Sequence, residues 1–340
     1  MFKGFSKDAA YYALIFIFLA ATLYLLLPAL FRQSPFPTGG PSIITTPNNF
    51  STVNLTILYS SKCKAFCDSS KIEASLKTAF VNLNVQRLDV ETASGKAFAN
   101  QLNVSLVPAY TFDASVSKSP AFPRFGNGLV KTGESYLLTT SEVSSGYLFQ
   151  NEPSATLSIT QFGASFNVNS LAFQNITFET LKRFNNSINF TIHYAVREAN
   201  GSFVSPSGYS ELSEDALQLC AVKSGSPNAL NAIACRSRAI MECYAANSPA
   251  VAFCAQFWKE CIGGWGMDEN ATELCVRTTN QTLLSKEVNA TIENQITAVP
   301  TTIIGNQYRL VGQTTPFELF SSLCAIYPSL GGCTVPLSNS

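Results

Sequence analysis

The sequence predicts an α/β protein made of two consecutive units, each with a central mixed sheet flanked by helices, behind one transmembrane helix. Three observations predict this fold class. Residues 9–31 form an uncharged apolar run, and the order strand, helix, strand, helix, proline, strand then occurs twice. In the second copy a long helical region stands before the proline. Strands that alternate with helices imply parallel pairing within a sheet.

The apolar run at residues 9–31 is interpreted as a membrane anchor. As a helix it would be about 34 Å long at about 1.5 Å per residue, and a bilayer core is about 30 Å thick. Two lysines precede the run and Arg32 follows it, which favours a cytoplasmic N-terminus at residues 1–8. A cleaved signal peptide is the alternative, but its apolar region is usually only about 7–15 residues long. We therefore expect a single-pass protein whose C-terminal part lies outside the cytoplasm.

The composition agrees with an extracytoplasmic protein and argues against a nucleic-acid-binding protein. The 22 basic and 22 acidic residues give a net charge of zero. The sequence contains no basic stripe of the kind that would indicate nucleic acid binding. Ten cysteines suit an oxidising compartment, where disulfides persist. Asn-x-Ser/Thr sequons, each a potential glycosylation site, occur at Asn49, Asn54, Asn103, Asn175, Asn185, Asn189, Asn200, Asn270, Asn280 and Asn289. A glycoprotein is therefore expected.

The first unit is predicted at residues 52–150, after a linker at residues 32–51 that is rich in proline and polar residues. Its third strand, residues 104–112, is interrupted by Pro108. Apolar periodicity predicts strands at 53–59 and 83–90, helices at 69–80 and 92–102, and a hairpin at 126–138.

The second unit is predicted at residues 154–335. Gly305-Asn306 is expected to form a type II′ turn in a hairpin at residues 301–310. Before it come a strand at 155–161, a helix at 173–184, a strand at 187–197 and a mainly helical region at 211–296, and after it comes a helix at 316–325.

Cys63 and Cys67 form the constellation best suited to chemistry. They follow the first strand directly and precede the first predicted helix. A helix N-terminus favours a thiolate and lowers the pKa of a cysteine, and Lys62 and Lys64 beside Cys63 act in the same direction. Asp68 opposes the effect beside Cys67. A reactive cysteine pair is therefore expected at this junction.

The first unit resembles the thioredoxin-fold superfamily in the strand at 54–61, in Cys63-Lys-Ala-Phe-Cys67 and in Leu106-Val-Pro108. The resemblance implies a cis-proline at Pro108 and substrate binding by the backbone of Val107 and Pro108. The family's usual spacing is C-x-x-C, whereas this chain has one residue more. Disulfides need Cα atoms within about 6.8 Å, so the extra residue must distort the first helical turn.

The second unit resembles DsbA-like and disulfide-isomerase-like thioredoxin domains with a helical insertion. The resemblance rests on the stretches 157–166, 215–220 and 257–261 and on the stretch 298–305 with its Val-Pro-Thr. It implies a second cis-proline at Pro300, with Val299 and Pro300 as substrate-binding residues. Where the family has its two cysteines, this chain has Asn167-Val-Asn-Ser170. The second unit is therefore expected to keep the fold without the chemistry.

The cysteine pair leaves three interpretations open: a redox centre, a structural disulfide and a metal site. Two thiolates do not complete a zinc site, and the single histidine, His193, lies in a predicted strand far along the chain. The other eight cysteines are most simply structural disulfides, and Cys324 with Cys333 is the favoured pair. They are Cys220, Cys235, Cys243, Cys254, Cys261, Cys275, Cys324 and Cys333.

Two functions follow from these predictions. The first is a membrane-anchored thiol–disulfide oxidoreductase that acts on protein or peptide thiols, with Cys63 as the attacking thiolate and Cys67 as the resolving thiol. A membrane redox partner would be within reach of the anchored domain, and no cofactor, metal or nucleic acid is expected. The alternative is a non-catalytic peptide-binding or scaffold protein whose disulfides are all structural.

Overall fold

A parallel β-α-β unit begins the part of the chain that the structure describes. Strands β1 (Val53–Tyr59) and β2 (Leu83–Asp89) pair in parallel, and α1 (Ser70–Ala79) connects them. Leu55, Ile57 and Leu58 of β1 are fully buried, because an apolar run of this kind suits a strand covered on both faces. The predicted bounds of β1 are confirmed.

The structure is a computed structural model of the chain. It describes residues 51–63, 67–139, 145–184, 187–247, 258–312 and 314–333. The predicted anchor at residues 9–31, the residues before it and nearly all of the linker lie outside these ranges. Among the described residues, no helix is long and apolar enough to cross a bilayer.

Among the described residues, five strands form the first sheet, in the order β2-β1-β4-β6-β5. After β2 comes α2, whose N-cap Thr92 accepts a hydrogen bond at Oγ1 from the backbone N–H of Gly95 at 3.1 Å. The remaining elements of this part are α2 (Ala93–Gln101), β4 (Ala109–Phe112), α3 (Phe122–Phe125), β5 (Leu129–Thr132) and β6 (Ser135–Leu138). The hairpin predicted at residues 126–138 is thus formed by β5 and β6.

Pro108 divides the predicted strand at residues 104–112 into two strands that lie in different sheets. The Val107–Pro108 peptide bond is cis. Strand β4 follows Pro108 in the first sheet, whereas β3 (Leu106–Val107) precedes it and pairs with β7 (Gly146–Leu148) in the second sheet. Proline has no N–H to contribute to a ladder, so the pairing changes at this residue.

The second sheet, as far as the chain is described, has six strands in the order β3-β7-β13-β12-β8-β9. Strands β8 (Ser158–Gly163) and β9 (Asn189–Tyr194) pair in parallel around α4 (Val168–Arg183), which repeats the β-α-β arrangement. The other elements of its second half are β12 (Thr301–Ile304), β13 (Tyr308–Val311) and α9 (Pro316–Ile326).

The turn between β12 and β13 differs from the predicted type II′ turn. Gly305 has φ 61° and Asn306 has φ 64°, and the N–H of Gln307 donates to the Ile304 carbonyl at 3.2 Å. Positive φ at both central residues is the type I′ arrangement. Asparagine tolerates this left-handed conformation better than most residues, which explains why the pair forms it.

Four helices of the described part of the chain lie between β9 and β12, in the region that the sequence predicts to be mainly helical. They follow a small hairpin and are tied together by disulfides between Cys220 and Cys275 and between Cys235 and Cys261. In chain order the elements are β10 (Arg197–Ala199), β11 (Ser202–Val204), α5 (Tyr209–Lys223), α6 (Ala229–Asn247), α7 (Trp258–Gly264) and α8 (Glu269–Glu293).

Apolar clusters lie against both sheets. The cluster on the first sheet includes Leu55, Ile57, Phe80 and Phe112, and the cluster between α4, α6 and α9 includes Phe173. Within Phe50–Ser340 the described residues form one compact unit, because β3 and β7 extend the second sheet from the first half of the chain.

Candidate functional site

Cys63 and Cys67 are joined by a disulfide just after β1. Their Cα atoms are 5.5 Å apart, within the usual range for a disulfide, so the longer C-x-x-x-C spacing does not prevent the bond. The backbone N–H of Cys63 donates to the Ser60 carbonyl at 3.1 Å, which forms a tight turn after the strand. The three residues between the cysteines lie outside the described part of the chain.

The two sulfurs differ in exposure. Cys63 is fully buried in an apolar cluster with Leu58, Val107 and Tyr147, whereas Cys67 is half-buried at the edge of that cluster. A thiol attacking from solvent can therefore reach Cys67 and not Cys63. This difference favours Cys67 as the sulfur that is attacked, whereas the sequence led us to expect Cys63 as the attacking thiolate and Cys67 as the resolving thiol.

Among the described residues, the first α-helix begins three residues after Cys67. Helix α1 begins at Ser70, and Oδ1 of Asp68 accepts a hydrogen bond from the backbone N–H of Ser70 at 2.9 Å. This hydrogen bond lowers the pKa of the Asp68 carboxyl. The positive end of α1 is thus occupied by Asp68, whose charge opposes a thiolate at the neighbouring Cys67.

The positive charge of Lys62, beside Cys63, is also engaged. Lys62 Nζ lies 2.7 Å from Oε2 of Glu91, and the other oxygen of Glu91 accepts a hydrogen bond from Ser60 Oγ at 2.6 Å. The hydrogen bond to Glu91 raises the pKa of Lys62. Asp89 adds a second carboxylate, which accepts from the N–H of Ser61 at 3.3 Å. The sequence reasoning missed both carboxylates, because Asp89 ends β2 and Glu91 follows it, and only parallel pairing brings them to β1.

Val107 and Pro108 lie directly beside the disulfide, as the resemblance implies. The carbonyl oxygen of Val107 is 3.3 Å from Sγ of Cys67. Val107 is completely buried, and its peptide bond to Pro108 is cis. The structure therefore brings together four residues that the sequence singled out, two cysteines and the two residues of the proline loop.

Strand β7 pairs with the backbone beside this loop. Val107 is opposite Tyr147, and Leu106 is opposite Leu148, in antiparallel register. The ring of Tyr147 packs against that of Tyr308 from β13, with centroids 5.3 Å apart. Both tyrosines contact the cluster around Cys63. Nothing in the local sequence indicated these partners, since a long-range strand pairing brings them to the site.

The second β-α-β unit has the same geometry without thiols. Asn167 is the N-cap of α4, and its Oδ1 accepts from the backbone N–H of Ser170 at 3.0 Å. The Val299–Pro300 peptide bond is cis. A groove of about 290 Å³ beside this loop is lined by Val204, Pro206 and Val299 among others. Asn167 and Ser170 thus stand where a cysteine pair would be expected.

A buried polar cluster lies next to that site and was not predicted. Glu211 accepts a hydrogen bond from the N–H of Phe166 at 2.8 Å, and Asp215 accepts a weaker one from the N–H of Ser165 at 3.4 Å. Burial raises the pKa of Asp215 well above its usual value. Glu214 is paired with Arg236. The run Glu211 to Gln218 carried the signal, because acidic residues there interrupt the apolar face of a helix.

The other described cysteines are all disulfide-bonded. Cys324 and Cys333 are bonded, with Cα atoms 5.5 Å apart, which confirms the favoured pair. Cys243 is also disulfide-bonded, Cys254 lies outside the described residues, and no described cysteine is free. In the described ranges, no group of three or more His, Cys, Asp or Glu side chains is arranged to hold a metal ion.

The strand order and the two proline loops define the class of protein. A β-α-β unit, a cis-proline and an antiparallel hairpin with a closing helix make up a thioredoxin fold, and the block α5 to α8 is a helical insertion of the DsbA-like type. The predicted thioredoxin-like fold with a helical insertion is therefore confirmed. This conclusion rests on the topology of the chain itself.

The known proteins to which this chain shows similarity are solved structures. No protein-family model matches the chain, and no curated protein matches it. DsbA from Pseudomonas aeruginosa is 14% identical over 54% of this chain and 90% of its own, with a TM-score of 0.39. Reduced DsbA1 from Neisseria meningitidis is 14% identical over 58% and 94%, with a TM-score of 0.38. DsbA from Xylella fastidiosa is 10% identical over 55% and 96%, with a TM-score of 0.41. These similarities are remote.

Proposed function

We propose that this chain is a thiol–disulfide oxidoreductase that acts on protein or peptide thiols through the Cys63–Cys67 pair. One observation carries the proposal: a half-buried sulfur, that of Cys67, lies 3.3 Å from the carbonyl of Val107 beside a cis-proline, and its bonded partner Cys63 is fully buried. In a disulfide with one accessible and one protected sulfur, an incoming thiolate attacks the accessible sulfur and the protected sulfur is the one that leaves.

The exchange begins with the attack of a substrate thiolate on Sγ of Cys67. A bond forms between the substrate sulfur and Cys67, the Cys63–Cys67 bond breaks, and Cys63 leaves as a thiolate that takes a proton from solvent. A second substrate thiolate then attacks the substrate sulfur of the mixed disulfide and releases Cys67. Two electrons pass from the substrate dithiol, which becomes a disulfide, to the protein, which becomes a dithiol.

The second β-α-β unit would contribute binding instead of chemistry. Neither Asn167 nor Ser170 can form a thiolate, but the groove beside Val299 and Pro300 keeps apolar walls. We assign to this groove the recruitment of a protein substrate or partner. Two thioredoxin-like domains, at residues 52–150 and 154–335, remain the organisation that we favour, since each range contains a β-α-β unit and a cis-proline.

The location of the protein is part of the proposal. The apolar run at residues 9–31 supports a single membrane anchor, and the disulfides found among the described residues support an oxidising compartment. The domains would then lie outside the cytoplasm, where the sequons could be glycosylated and a membrane redox partner could reach Cys67. Protease protection of the full chain in sealed membrane vesicles tests the orientation.

A trapping experiment tests the chemistry. Cys63→Ser leaves the accessible Cys67 without its resolving partner, so its thiolate should attack disulfides of oxidised protein substrates, release one substrate thiol and accumulate as mixed disulfides. Cys67→Ser is the matched control, and it should trap far less because Cys63 is buried. Equal absence of mixed disulfides in both variants would contradict the proposed exchange.

A second candidate function is a non-catalytic peptide-binding or scaffold protein. The burial of Cys63 and the replacement of a cysteine pair by Asn167 and Ser170 favour it. It predicts that mild reductants do not open the Cys63–Cys67 bond. A measured reduction potential above about −270 mV, in the range of exchange catalysts, would decide for the oxidoreductase.

A further inference from the structure

Strand β7 lies where the backbone beside Cys67 would otherwise be open to another strand. Val107, whose carbonyl oxygen is 3.3 Å from Sγ of Cys67, pairs with Tyr147 of β7. On its other side β7 pairs with β13, through Tyr147 opposite Tyr308 and Gly146 opposite Arg309. The backbone groups nearest the accessible sulfur are therefore engaged within the chain.

The contact between β7 and β3 is close enough to require glycine. A Cβ atom on Gly146 would lie 2.4 Å from the carbonyl oxygen of Val107 and 3.2 Å from its carbonyl carbon. Real Cβ atoms do not approach backbone atoms this closely, so any larger residue at position 146 must move one strand away from the other. Gly146 thus permits the seam between β3 and β7 to close.

Tyr147 places a second barrier next to the disulfide. Its side chain is buried and belongs to the cluster that contains Cys63, and the hydroxyl of its ring partner Tyr308 lies 3.5 Å from the carbonyl oxygen of Lys62. Within the described part of the chain, these contacts help to cover Cys63, whereas Cys67 is half-buried.

An extended polypeptide and a small thiol meet this arrangement differently. A polypeptide that brings a cysteine to Cys67 is best held by strand pairing with a free backbone edge, and β7 already takes the edge of Val107. A small thiol needs no such edge. Strand β3 is paired with β7 over only two residues, so this seam is short and can open without loss of the sheets.

On the basis of the proposed exchange at Cys67, we propose that β7 is a built-in occupant of the peptide-binding edge. Extended polypeptide dithiols would exchange with Cys63–Cys67 only after the β3–β7 seam opens, whereas small dithiols would exchange without that opening. The site is then selective for substrates that bind after β7 has been displaced or that displace β7 themselves.

Glycine substitution tests the seam. In Gly146→Val the strands cannot approach as closely, and an extended peptide with two reduced cysteines should reduce Cys63–Cys67 faster by about tenfold, which corresponds to about 1.4 kcal/mol. Reduction by dithiothreitol should change by less than about twofold, which is within about 0.4 kcal/mol. Gly128→Val is the matched control, because a Cβ there meets nothing within 4 Å. Alkylation and peptide mass spectrometry report the state of this one disulfide.

The unmodified protein provides a second test that does not depend on the folding of a variant. If the seam gates the site, the rate of reduction by the peptide levels off at high peptide concentration, at the opening rate of β7. The rate with dithiothreitol stays proportional to its concentration. A peptide rate that rises linearly throughout, together with no effect of Gly146→Val, overturns the gate and leaves the exchange at Cys67 intact. If neither reagent opens the bond in either protein, the proposed function fails and the gate with it.

Discussion

Arg236 binds both carboxylate oxygens of Glu214 in the interior of the helical insertion. Nε of Arg236 is 2.8 Å from Oε1, and Nη2 is 2.9 Å from Oε2. Both side chains are almost completely buried, and Gln218 donates a further hydrogen bond to Glu214 at 2.9 Å. This ion pair joins α5 to α6, and Glu211 of the same helix α5 accepts a hydrogen bond from the N–H of Phe166, next to Asn167.

Removal of one member of this pair should be costly. Arg236→Met leaves the Glu214 carboxylate buried without its counter-charge, and the free energy of unfolding should fall by about 3–5 kcal/mol. The double variant Glu214→Leu/Arg236→Met should recover most of that loss, because no isolated charge remains. Urea unfolding measures both.

The control for this prediction is an exposed pair. Arg277 pairs with Glu273 on the surface of α8, and Arg277→Ala should cost no more than about 0.5 kcal/mol. A loss in Arg236→Met as small as that in Arg277→Ala would show that the buried pair is not under the electrostatic constraint inferred here.

The two cysteines should differ in reactivity once the disulfide is reduced. Cys67 in the Cys63→Ser variant is half-buried, whereas Cys63 in the Cys67→Ser variant lies in the apolar cluster. We expect iodoacetamide to alkylate Cys67 faster by about tenfold, since reactive thiols are accessible and buried ones are inert. Timed alkylation with mass spectrometry gives the two rates, and faster labelling of Cys63 would restore the roles expected from the sequence.

Stability should fall with rising pH because of Asp215. Burial raises its pKa in the folded state above the usual 3.8, so the folded state holds a proton that the unfolded chain releases. The stability contribution is fully present below about pH 3.8 and is lost as the pH rises through the folded-state pKa. Asp215→Asn, which cannot ionise, should make the unfolding midpoint less dependent on pH above pH 4 and should match or exceed the wild-type stability at pH 7.

The pH dependence of stability expected from Asp68 has the opposite sign to that expected from Asp215. The hydrogen bond from Ser70 lowers its pKa, so its contribution is present above about pH 3.8 and is lost as the pH falls through the lowered value. Asp68→Asn should therefore alter the acid side of the stability profile only. Unfolding midpoints between pH 3 and pH 8 would contradict the assignment to Asp215 if Asp215→Asn left the slope above pH 4 unchanged.

Gly95 connects the packing of α2 to the site. A Cβ on Gly95 would lie 2.0 Å from the carbonyl oxygen of Asp89, so Gly95→Ala must displace the end of β2 and should cost about 1–3 kcal/mol. The carboxylate of Asp89 holds the N–H of Ser61, and the loop before Cys63 should shift as well, with a changed rate of reduction by dithiothreitol. Gly264→Ala, with nothing within 4 Å, should be neutral or slightly stabilising.

Local patterns predicted most elements of the fold, and long-range pairings account for what they missed. The apolar run of β1 and the Thr92 cap of α2 set their own boundaries, so these elements agree with the sequence. Helix α4 begins at Val168, earlier than the predicted residue 173, because Asn167 caps it through a side-chain hydrogen bond. Apolar periodicity alone does not register a cap.

The site shows the same division. The proximity of Val107 and Pro108 to the cysteines followed from the resemblance, and the structure places them there. The neutralisation of Lys62 by Glu91 and the pairing of Val107 with Tyr147 depend on residues that are distant in sequence. The unequal burial of Cys63 and Cys67 depends on that same tertiary packing, so the roles of the two sulfurs could not be assigned from their spacing.

The position of β7 also decides how the chain can be divided. A fragment that ends near residue 150 would carry β7 without β13, and a fragment that begins near residue 154 would present β13 as a bare edge strand. Unpaired edges of this kind promote aggregation. Expression of the halves as separate proteins should therefore give poorly soluble products, and the junction between them is best treated as part of a single folding unit.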